Sequence, residues 1–416
     1  MLCIDQGHST SVSLFAMESL PKPFPRDRWM TIACAVWGLL YALFVARIFA
    51  TPKHLGVYPI FARGTRRLWD GLPMYVPEEG LDVFRYTPTF ALGFSPFGLL
   101  PDPLGVALWN LFSLTIFFVS LRVLVHRVFP WSWTIRQEGV FLLLTILAAA
   151  RGVWSAQSNL LLFSLVFLGV AALLDKRWWR AAFLLALPVH IKIWPIGIAM
   201  LLCARWWRPL IARFGAALMA LAAAPFLIRP WGEVASQYAG FWNLQLLTGT
   251  SRWPGYRDLW TILEQFSTPE WGPYTALRAT TAALLFAWCL WQTRRLPSAR
   301  HFATATLAAW AGWQLLIGPG TERLTYGLIG PFASAAILLS YQKVQKVQKV
   351  QEIQNVSTGG LRILSIAAWL MVVVLGSGAG ERALLPYLSL APAIQPAGIV
   401  VFLVWVALWD WRYPRP

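Results

Sequence analysis

The sequence predicts an all-α polytopic membrane protein with about twelve transmembrane helices, within a range of roughly ten to thirteen. Of the 416 residues, 57% are hydrophobic and only 13% are charged, and the mean hydropathy is +0.56. A soluble domain carries about 25% charged residues, so this chain lacks the polar side chains that would cover a globule in water. Apolar runs of about 15 to 22 residues recur along the chain, which is the length of a membrane-spanning helix.

These runs define one predicted membrane domain, residues 30–411, preceded by a cytoplasmic N-terminal segment, residues 1–29. Residues 342–360 contain the repeat QKVQKVQKVQ and are predicted to form a cytoplasmic linker, with a short helix as the alternative. The predicted crossings are 30–50, 103–125, 138–151, 158–174, 180–191, 193–204, 211–228, 273–292, 301–317, 324–341, 361–377 and 396–411.

Two of these crossings, 180–191 and 193–204, are predicted as short helices that meet at Lys192. Each has about twelve residues and is too short to cross a full bilayer alone. The alternative is a single tilted helix, which would move Arg205 and Arg208 to the outer side of the membrane.

The formal net charge of +17 indicates how the chain is oriented. Cytoplasmic loops of membrane proteins are rich in Lys and Arg, and such loops also contact anionic lipids. If the N-terminus is cytoplasmic, every predicted inner loop is basic, including DKRWWR, TRRLPSAR and WRYPRP. The sequence therefore predicts a multi-pass protein of a cytoplasmic (inner) membrane, with both termini inside and membrane lipids rather than nucleic acid as partners.

The polar residues capable of chemistry gather on the predicted outer face, mainly in two long loops, residues 51–102 and 229–272. Both loops are more basic than the orientation rule predicts, and an anionic group at the outer surface would explain this exception. Helical spacing of apolar residues between Val57 and Tyr75 predicts an amphipathic helix on the membrane surface, with simple anchoring as its alternative role. The four cysteines lack metal-ligand or disulfide spacing, so no metal and no cofactor is predicted.

Two short motifs place basic residues among apolar neighbours. In FRYTPTF, Arg85 and Tyr86 precede a proline that disfavours helix, and the long arginine side chain could hold a lipid phosphate or cap the loop. In HIKIWP, His190 and Lys192 lie in apolar surroundings, which indicates function unless the lysine extends to the membrane interface.

Two further motifs contribute amides, an acid and a tyrosine. AQSN places Gln157 and Asn159 at the start of a helix, where amides can bind sugar hydroxyls or Asn159 can simply cap the helix. GTERLTY brings Glu322 and Tyr326 to the outer end of a span, with a surface pair between Glu322 and Arg323 as the alternative.

In this order, the motifs LWDGLPMY, FRYTPTFALGFSPFGLLPDP, AQSN and HIKIWP, followed by ARWWRP, resemble a known family. The chain is similar, over residues 30–330, to the polyprenyl-phosphate-mannose-dependent mannosyltransferases of the GT-C glycosyltransferase superfamily. The resemblance implies a GT-C-like fold and a metal-independent, inverting transfer of a sugar from a polyprenyl-phosphate donor to a glycolipid or glycan acceptor. A carboxylate would act as general base, and basic groups would stabilise the departing phosphate.

The sequence departs from the family pattern at the expected base. The family has an Asp about fourteen residues before the glycine matched by Gly71, whereas this chain reads KHLGVYP there. Asp82, next to Arg85 and Tyr86, is the favoured replacement. The alternatives for the base are Asp70, Asp258 and Glu322.

The residue patterns and the resemblance together assign two further sets of ligands. The predicted donor-phosphate ligands are Arg85, Tyr86, Lys192, His190 and Arg257. The predicted sugar or acceptor ligands are Gln157, Asn159, Tyr326 and His54. A transporter or flippase of lipid-linked or other solutes is the main alternative function, and a non-catalytic GT-C-like subunit is a further one.

Overall fold

The computed structural model describes residues 27–51, 55–77, 80–249, 252, 255–296, 298–347 and 358–409. Within these residues the chain is helical and has no strand, apart from one isolated β-bridge between Tyr256 and Glu322. The first eight helices are α1 (Arg28–Ala50), α2 (Tyr58–Trp69), α3 (Pro88–Gly98), α4 (Asp102–Val123), α5 (Ile135–Trp154), α6 (Asn159–Leu174), α7 (Trp178–Ile191) and α8 (Ile196–Ala223). The others are α9 (Trp231–Gly249), α10 (Leu259–Leu263), α11 (Trp271–Arg295), α12 (Ala299–Leu316), α13 (Gly330–Val347), α14 (Thr358–Trp369), α15 (Gly378–Leu384) and α16 (Ile394–Leu408).

Within the described residues, each predicted crossing overlaps helical backbone, which confirms the all-α class. Five of the described helices are long and apolar enough to span a bilayer, or six if the bent pair Gly359–Leu375 and Gly378–Leu384 counts as one span. Three further apolar helices are shorter, namely α6, α7 and the first part of α13. The chain is therefore a multi-pass membrane protein, and twelve crossings remains a prediction.

The break expected at Lys192 is present. Lys192 has extended backbone (φ −144°, ψ 143°) between α7 and α8, so the chain does not continue as one tilted helix. Pro195 favours this break because it has no N–H to donate to the Ile191 carbonyl and its ring would collide with that carbonyl in a continuous helix. The next predicted gap, between 193–204 and 211–228, is only a kink within α8, where Trp206 leaves helical geometry shortly before Pro209. A proline inside a helix removes a hydrogen bond and collides with the preceding turn.

The amphipathic helix predicted in the first outer loop is α2, but its apolar face lies inside the protein rather than on the membrane surface. Phe61 is fully buried, and its ring centroid lies 5.3 Å from that of Phe90 and 5.4 Å from that of Phe94. The predicted location was wrong because α3 packs against the apolar face of α2 and covers it. The second outer loop likewise contains a 19-residue helix, α9.

Candidate active site

A cavity of about 730 Å³ opens at one end of the helical bundle. Its walls come from the segment before α3, the α5–α6 and α7–α8 connections, α9, the start of α11 and the end of α12. The wall contains both charged or polar side chains and many apolar ones, so the cavity suits an amphiphilic molecule. The apolar part includes Ile60, Ile193, Trp194, Phe241, Trp271 and Trp313.

The cavity unites six residues that the sequence singled out from four separate motifs. They span 240 positions of the chain, yet the ends of several helices bring them to one place. These residues are Asp82, Arg85, Tyr86, Gln157, Lys192 and Glu322.

Glu322 is the electrostatic centre of this group. Its carboxylate forms no hydrogen bond or ion pair with any described residue. Burial raises the pKa of Tyr86 and of Tyr256 above the ordinary tyrosine value, and the nearby Glu322 charge raises both further. A carboxylate that is partly buried and unpaired is available to a substrate.

Lys192 is the second unpaired charge in the cavity. Burial lowers the pKa of the Lys192 ammonium, and the negative charge of Glu322 partly offsets this. The ammonium forms no hydrogen bond or ion pair with a described residue. Lys192 is therefore a cation placed to receive an anionic ligand.

Asp82 and Arg85 form an ion pair at the rim of the cavity, with 3.0 Å between Asp82 Oδ1 and an Arg85 guanidinium nitrogen. The Asp82 side chain is 50% exposed, and its Oδ1 also accepts the backbone N–H of Val83 at 2.8 Å. Asp82, the favoured base, thus already has two hydrogen-bond donors.

Tyr86 and Gln157 form the polar back of the cavity. The Tyr86 hydroxyl donates to Gln157 Oε1 at 3.3 Å, and the Ser158 backbone N–H donates to the same oxygen at 3.0 Å. Ala156, just before them, has left-handed backbone (φ 49°), which is unusual for a residue with a side chain. The Trp109 indole bonds to its carbonyl at 3.0 Å and helps to hold this turn.

Sequence reasoning missed several lining residues, of which Arg278 is the most important. Arg278 lies in α11, donates from Nε to the Ile317 carbonyl at 2.9 Å and stacks 4.6 Å from the Tyr274 ring centroid. A single arginine inside an apolar run was the available signal, because charges within such runs are expensive and usually functional. Tyr256, Gln245 and Gln314 line the cavity too, and no motif marked them.

Three predicted residues lie close to the cavity but do not line it. Asp258 is fully buried, and its carboxylate contacts Arg252 at 2.9 Å and Arg278 at 3.7 Å. Arg257 is paired with Glu381 at 3.1 Å rather than facing the cavity. The Tyr326 hydroxyl donates to the Arg257 carbonyl at 2.8 Å. These residues are placed to support the wall.

The remaining predicted residues lie elsewhere. His190 is buried, with Nε2 3.2 Å from the Leu218 carbonyl. Asn159 is buried at the start of α6, and neither atom of its amide has a partner among the described residues. Asp70 follows the last turn of α2 and does not line the cavity. His54 lies outside the described residues.

Within the part of the chain that the structure describes, no three His, Cys, Asp or Glu side chains come together as they would around a metal ion. Among the described residues that line the cavity are three cations, Arg85, Lys192 and Arg278, and two carboxylates. Its polar chemistry therefore favours an anionic ligand beside an acid that can accept a proton.

Comparisons with solved structures give distant matches. ArnT from Cupriavidus metallidurans bound to undecaprenyl phosphate matches with a TM-score of 0.43 and 14% identity, over 91% of this chain and 76% of that chain. The apo state of the same protein matches with a TM-score of 0.40 at the same identity and coverage. No curated protein matches the chain by sequence.

The family comparison is more decisive. The model of glycosyltransferase family 87 matches residues 84–319, which is more than half of the 416-residue chain. The matched region begins just before Arg85 and includes Gln157, Lys192 and Arg278. This multi-pass membrane protein therefore belongs to glycosyltransferase family 87 and is a membrane glycosyltransferase.

Proposed function

We propose that the chain transfers a sugar from a polyprenyl-phosphate donor to a lipid or glycan acceptor on the outer face of the cytoplasmic membrane. Mannose is the first candidate for the sugar, and another hexose or a pentose is the alternative. The proposal rests on one observation: the Lys192 ammonium and the Glu322 carboxylate lie in the same amphiphilic cavity, and neither has a partner among the described residues.

The donor fits the mixed lining of the cavity. Arg85, Lys192 and Arg278 supply positive charge for its phosphate, and arginine and lysine are the usual phosphate ligands of proteins. The isoprenoid chain would leave along the apolar side chains toward the membrane. Gln157 and Gln245 provide amides that can bond to sugar hydroxyls.

The reaction is an inverting displacement at the anomeric carbon. An acceptor hydroxyl loses its proton to a carboxylate as its oxygen forms the new bond to that carbon. The bond from the anomeric carbon to the phosphate oxygen breaks, and its electron pair stays on the polyprenyl phosphate. Cations stabilise the negative charge that develops there.

We assign the base to Glu322 and keep Asp82 as its rival. A base must reach the acceptor proton with a free lone pair, and the Glu322 carboxylate has no described partner. Asp82 Oδ1 already accepts from Arg85 and from the Val83 backbone N–H, so an acceptor hydroxyl would compete with these donors at that oxygen. Asp258, the third candidate, is enclosed by Arg252 and Arg278.

Basic residues at the other end of the bundle support the proposed orientation. Arg177 precedes α7 and Arg295 ends α11, whereas the opposite ends of these two helices line the cavity. Arg205, inside α8, donates to the Leu296 carbonyl at 2.8 Å and so lies near the same end as Arg295, and such basic residues are typical of the cytoplasmic side. The cavity would then open toward the periplasm or cell exterior.

The test is transfer by the purified protein in nanodiscs. The donors are polyprenyl phosphates carrying radiolabelled mannose, glucose or arabinose, and the acceptors come from a lipid extract of the native membranes. We expect a labelled, extractable product with one of these donors and the same rate in EDTA. Transfer from a sugar nucleotide but from no polyprenyl-phosphate sugar would overturn the proposed donor.

A flippase would be distinguished in the same preparation. It would move the labelled donor across a vesicle bilayer without breaking the bond from sugar to phosphate. Membership of a glycosyltransferase family favours transfer, and no feature of the described residues favours the flippase.

A further inference from the structure

A second charged cluster lies behind the wall that carries Glu322. Tyr256 and Glu322 face each other in the antiparallel bridge, and both line the cavity. Their next neighbours along the chain, Arg257 and Arg323, instead bond to Glu381. Adjacent residues of extended backbone point to opposite sides, so the bridge separates the cavity from this cluster.

The cluster has more positive than negative charge. The Glu381 side chain is only 6% exposed and accepts hydrogen bonds from Arg257 at 3.1 and 3.3 Å, as well as pairing with Arg323. Arg151, in the last turn of α5, lies close enough to Arg382 and Glu381 to interact with both electrostatically. Among the described residues, two arginines thus bind the Glu381 carboxylate directly, and Arg151 and Arg382 add two further positive charges to the cluster.

The two outer arginines have no protein partner. Neither Arg151 nor Arg382 forms a hydrogen bond or ion pair with any described residue, and both are exposed. The Arg151 guanidinium packs so closely on Gly378 that a side chain at that position would collide with it. The fold thus holds like charges together, which is unfavourable unless an anion joins them.

The position of α15, which contains Arg382, shows what surrounds Arg151 and Arg382. The axis of α15 makes an angle of 87° with that of the preceding apolar helix, Gly359–Leu375, so α15 lies across the end of this helix. Just after Arg382, the chain exposes large apolar side chains to the surroundings of the protein. They are Leu385 (45% exposed), Tyr387 (88%), Leu388 (39%) and Leu390 (42%).

We propose that Arg151 and Arg382, backed by the Arg257–Glu381–Arg323 cluster, bind the phosphate headgroup of an anionic phospholipid. Paired arginines match the geometry of phosphate oxygens, and exposed apolar residues beside them suit the lipid chains. The site is separate from the cavity of the proposed donor, and its occupant is a bulk membrane lipid rather than a substrate.

The experiment compares lipid binding in three proteins: the wild type, the double variant Arg151→Gln/Arg382→Gln and the control Arg47→Gln. Arg47 is a matched control because it lies at the same end of the protein, bonds to the Trp154 carbonyl at 2.9 Å and is outside the cluster. Nanodiscs contain phosphatidylcholine alone or with phosphatidylglycerol. The readouts are phosphatidylglycerol retained in native mass spectra and the shift in melting temperature that phosphatidylglycerol causes.

An arginine at a membrane surface contributes about 1 kcal/mol toward anionic lipid, which is roughly fivefold in affinity. We expect the double variant to bind phosphatidylglycerol about 25-fold more weakly, by the product of two such factors. The Arg47 variant should match the wild type. If the double variant folds poorly, Arg382→Gln alone should show the fivefold loss, since its side chain is exposed on α15.

Two results would overturn the inference. One is equal retention of phosphatidylglycerol by the wild type and the arginine variants. The other is full stabilisation of the wild type by inorganic phosphate in phosphatidylcholine nanodiscs, which would identify a soluble anion as the ligand. Both readouts measure binding, so they stand whether or not the protein uses a polyprenyl-phosphate donor.

Discussion

Glu138 and Glu322 lie at opposite ends of the bundle and have opposite surroundings. Glu138, in the first turn of α5, is 2% exposed and accepts from Arg122 Nε at 2.7 Å, with His126 Nε2 at 3.1 Å. Glu322 lines the cavity and has no described partner. One carboxylate is saturated by the fold, and the other is left for a ligand.

The difference separates charges that stabilise the protein from charges that act on a substrate. Removing one member of a buried ion pair leaves the other charge buried without a partner, so the stability of the protein should fall. Removing a cavity charge that has no protein partner breaks no contact in the empty protein. Stability should therefore be kept, and the turnover number should fall. Four predictions test this distinction, beginning with the largest effect.

Replacing Glu322 with Gln should give the largest loss. If Glu322 takes the acceptor proton, the turnover number should fall by about 10²- to 10⁴-fold, because that is the usual contribution of a general base. Initial rates with saturating polyprenyl-phosphate mannose measure this, and the melting temperature should stay near that of the wild type.

Asp82→Asn is the matched comparison for Glu322→Gln, since it neutralises the other carboxylate of the cavity. We expect it to weaken transfer by less than tenfold, through the loss of its 3.0 Å pair with Arg85. The reverse order, with Asp82→Asn inactive and Glu322→Gln active, would return the base to the residue favoured by the sequence.

Lys192→Met should give the next largest loss. The variant keeps the length of the apolar stem but removes the charge that would face the phosphate, so transfer efficiency should fall about 10²-fold. The measurement is the ratio kcat/KM for the donor. Lys176→Met, at the α6–α7 connection on the other side of the bundle, is the control and should keep the wild-type ratio. Equal losses in both variants would remove Lys192 from the site.

Glu138→Gln should lower the stability of the protein and leave its turnover unchanged, the opposite of the cavity variants. It leaves Arg122 buried without its carboxylate, so the free energy of unfolding should fall by about 3 kcal/mol, while turnover per folded molecule is unchanged. Equilibrium unfolding in mixed micelles measures the first quantity and active-site-normalised rates the second. Glu233→Gln breaks a more exposed pair with Arg229 and should cost less than about 1 kcal/mol. A lower turnover number in the folded Glu138→Gln variant would contradict the distinction between a stabilising Glu138 and a catalytic Glu322.

The sequence predicted the helices well because apolar runs and prolines act locally. The break at Lys192 was predicted from the pattern of basic loops, and Pro195 also disfavours a continuous helix there. Arg85, Lys192 and Glu322 were each visible as charges beside apolar segments. The sequence placed these three residues on the same outer face of the membrane but did not predict that they line one cavity.

Pairing was beyond the reach of the sequence because it depends on contacts between distant segments. The sequence favoured Asp82 over Asp258 and Glu322 because Asp82 is next to Arg85 and Tyr86. Only the fold shows that Arg252 pairs with Asp258 and Arg85 with Asp82. Arg257 was predicted to bind the donor, but the fold turns it toward Glu381, a residue that no motif marked.

The coupling of Lys192 to Glu322 gives the last prediction, a shift in pH dependence. Burial lowers the pKa of Lys192, and Glu322 raises it in part. Binding of polyprenyl phosphate needs the protonated ammonium, so affinity should fall as the pH rises through this pKa, below the pH at which an ordinary lysine titrates. In Glu322→Gln the raising charge is gone, and the fall should begin at a lower pH.

Binding measured by tryptophan fluorescence above pH 8 isolates this titration, because the second proton of a phosphate monoester is lost near pH 6. The effect is the smallest of the four, since it moves the pH at which binding is lost and removes no ligand of the phosphate. Lys192→Met should show no such fall, which ties the titration to this ammonium. If the wild type and Glu322→Gln lose binding at the same pH, the two charges do not act on each other, and the cavity would contain two independent sites instead of one.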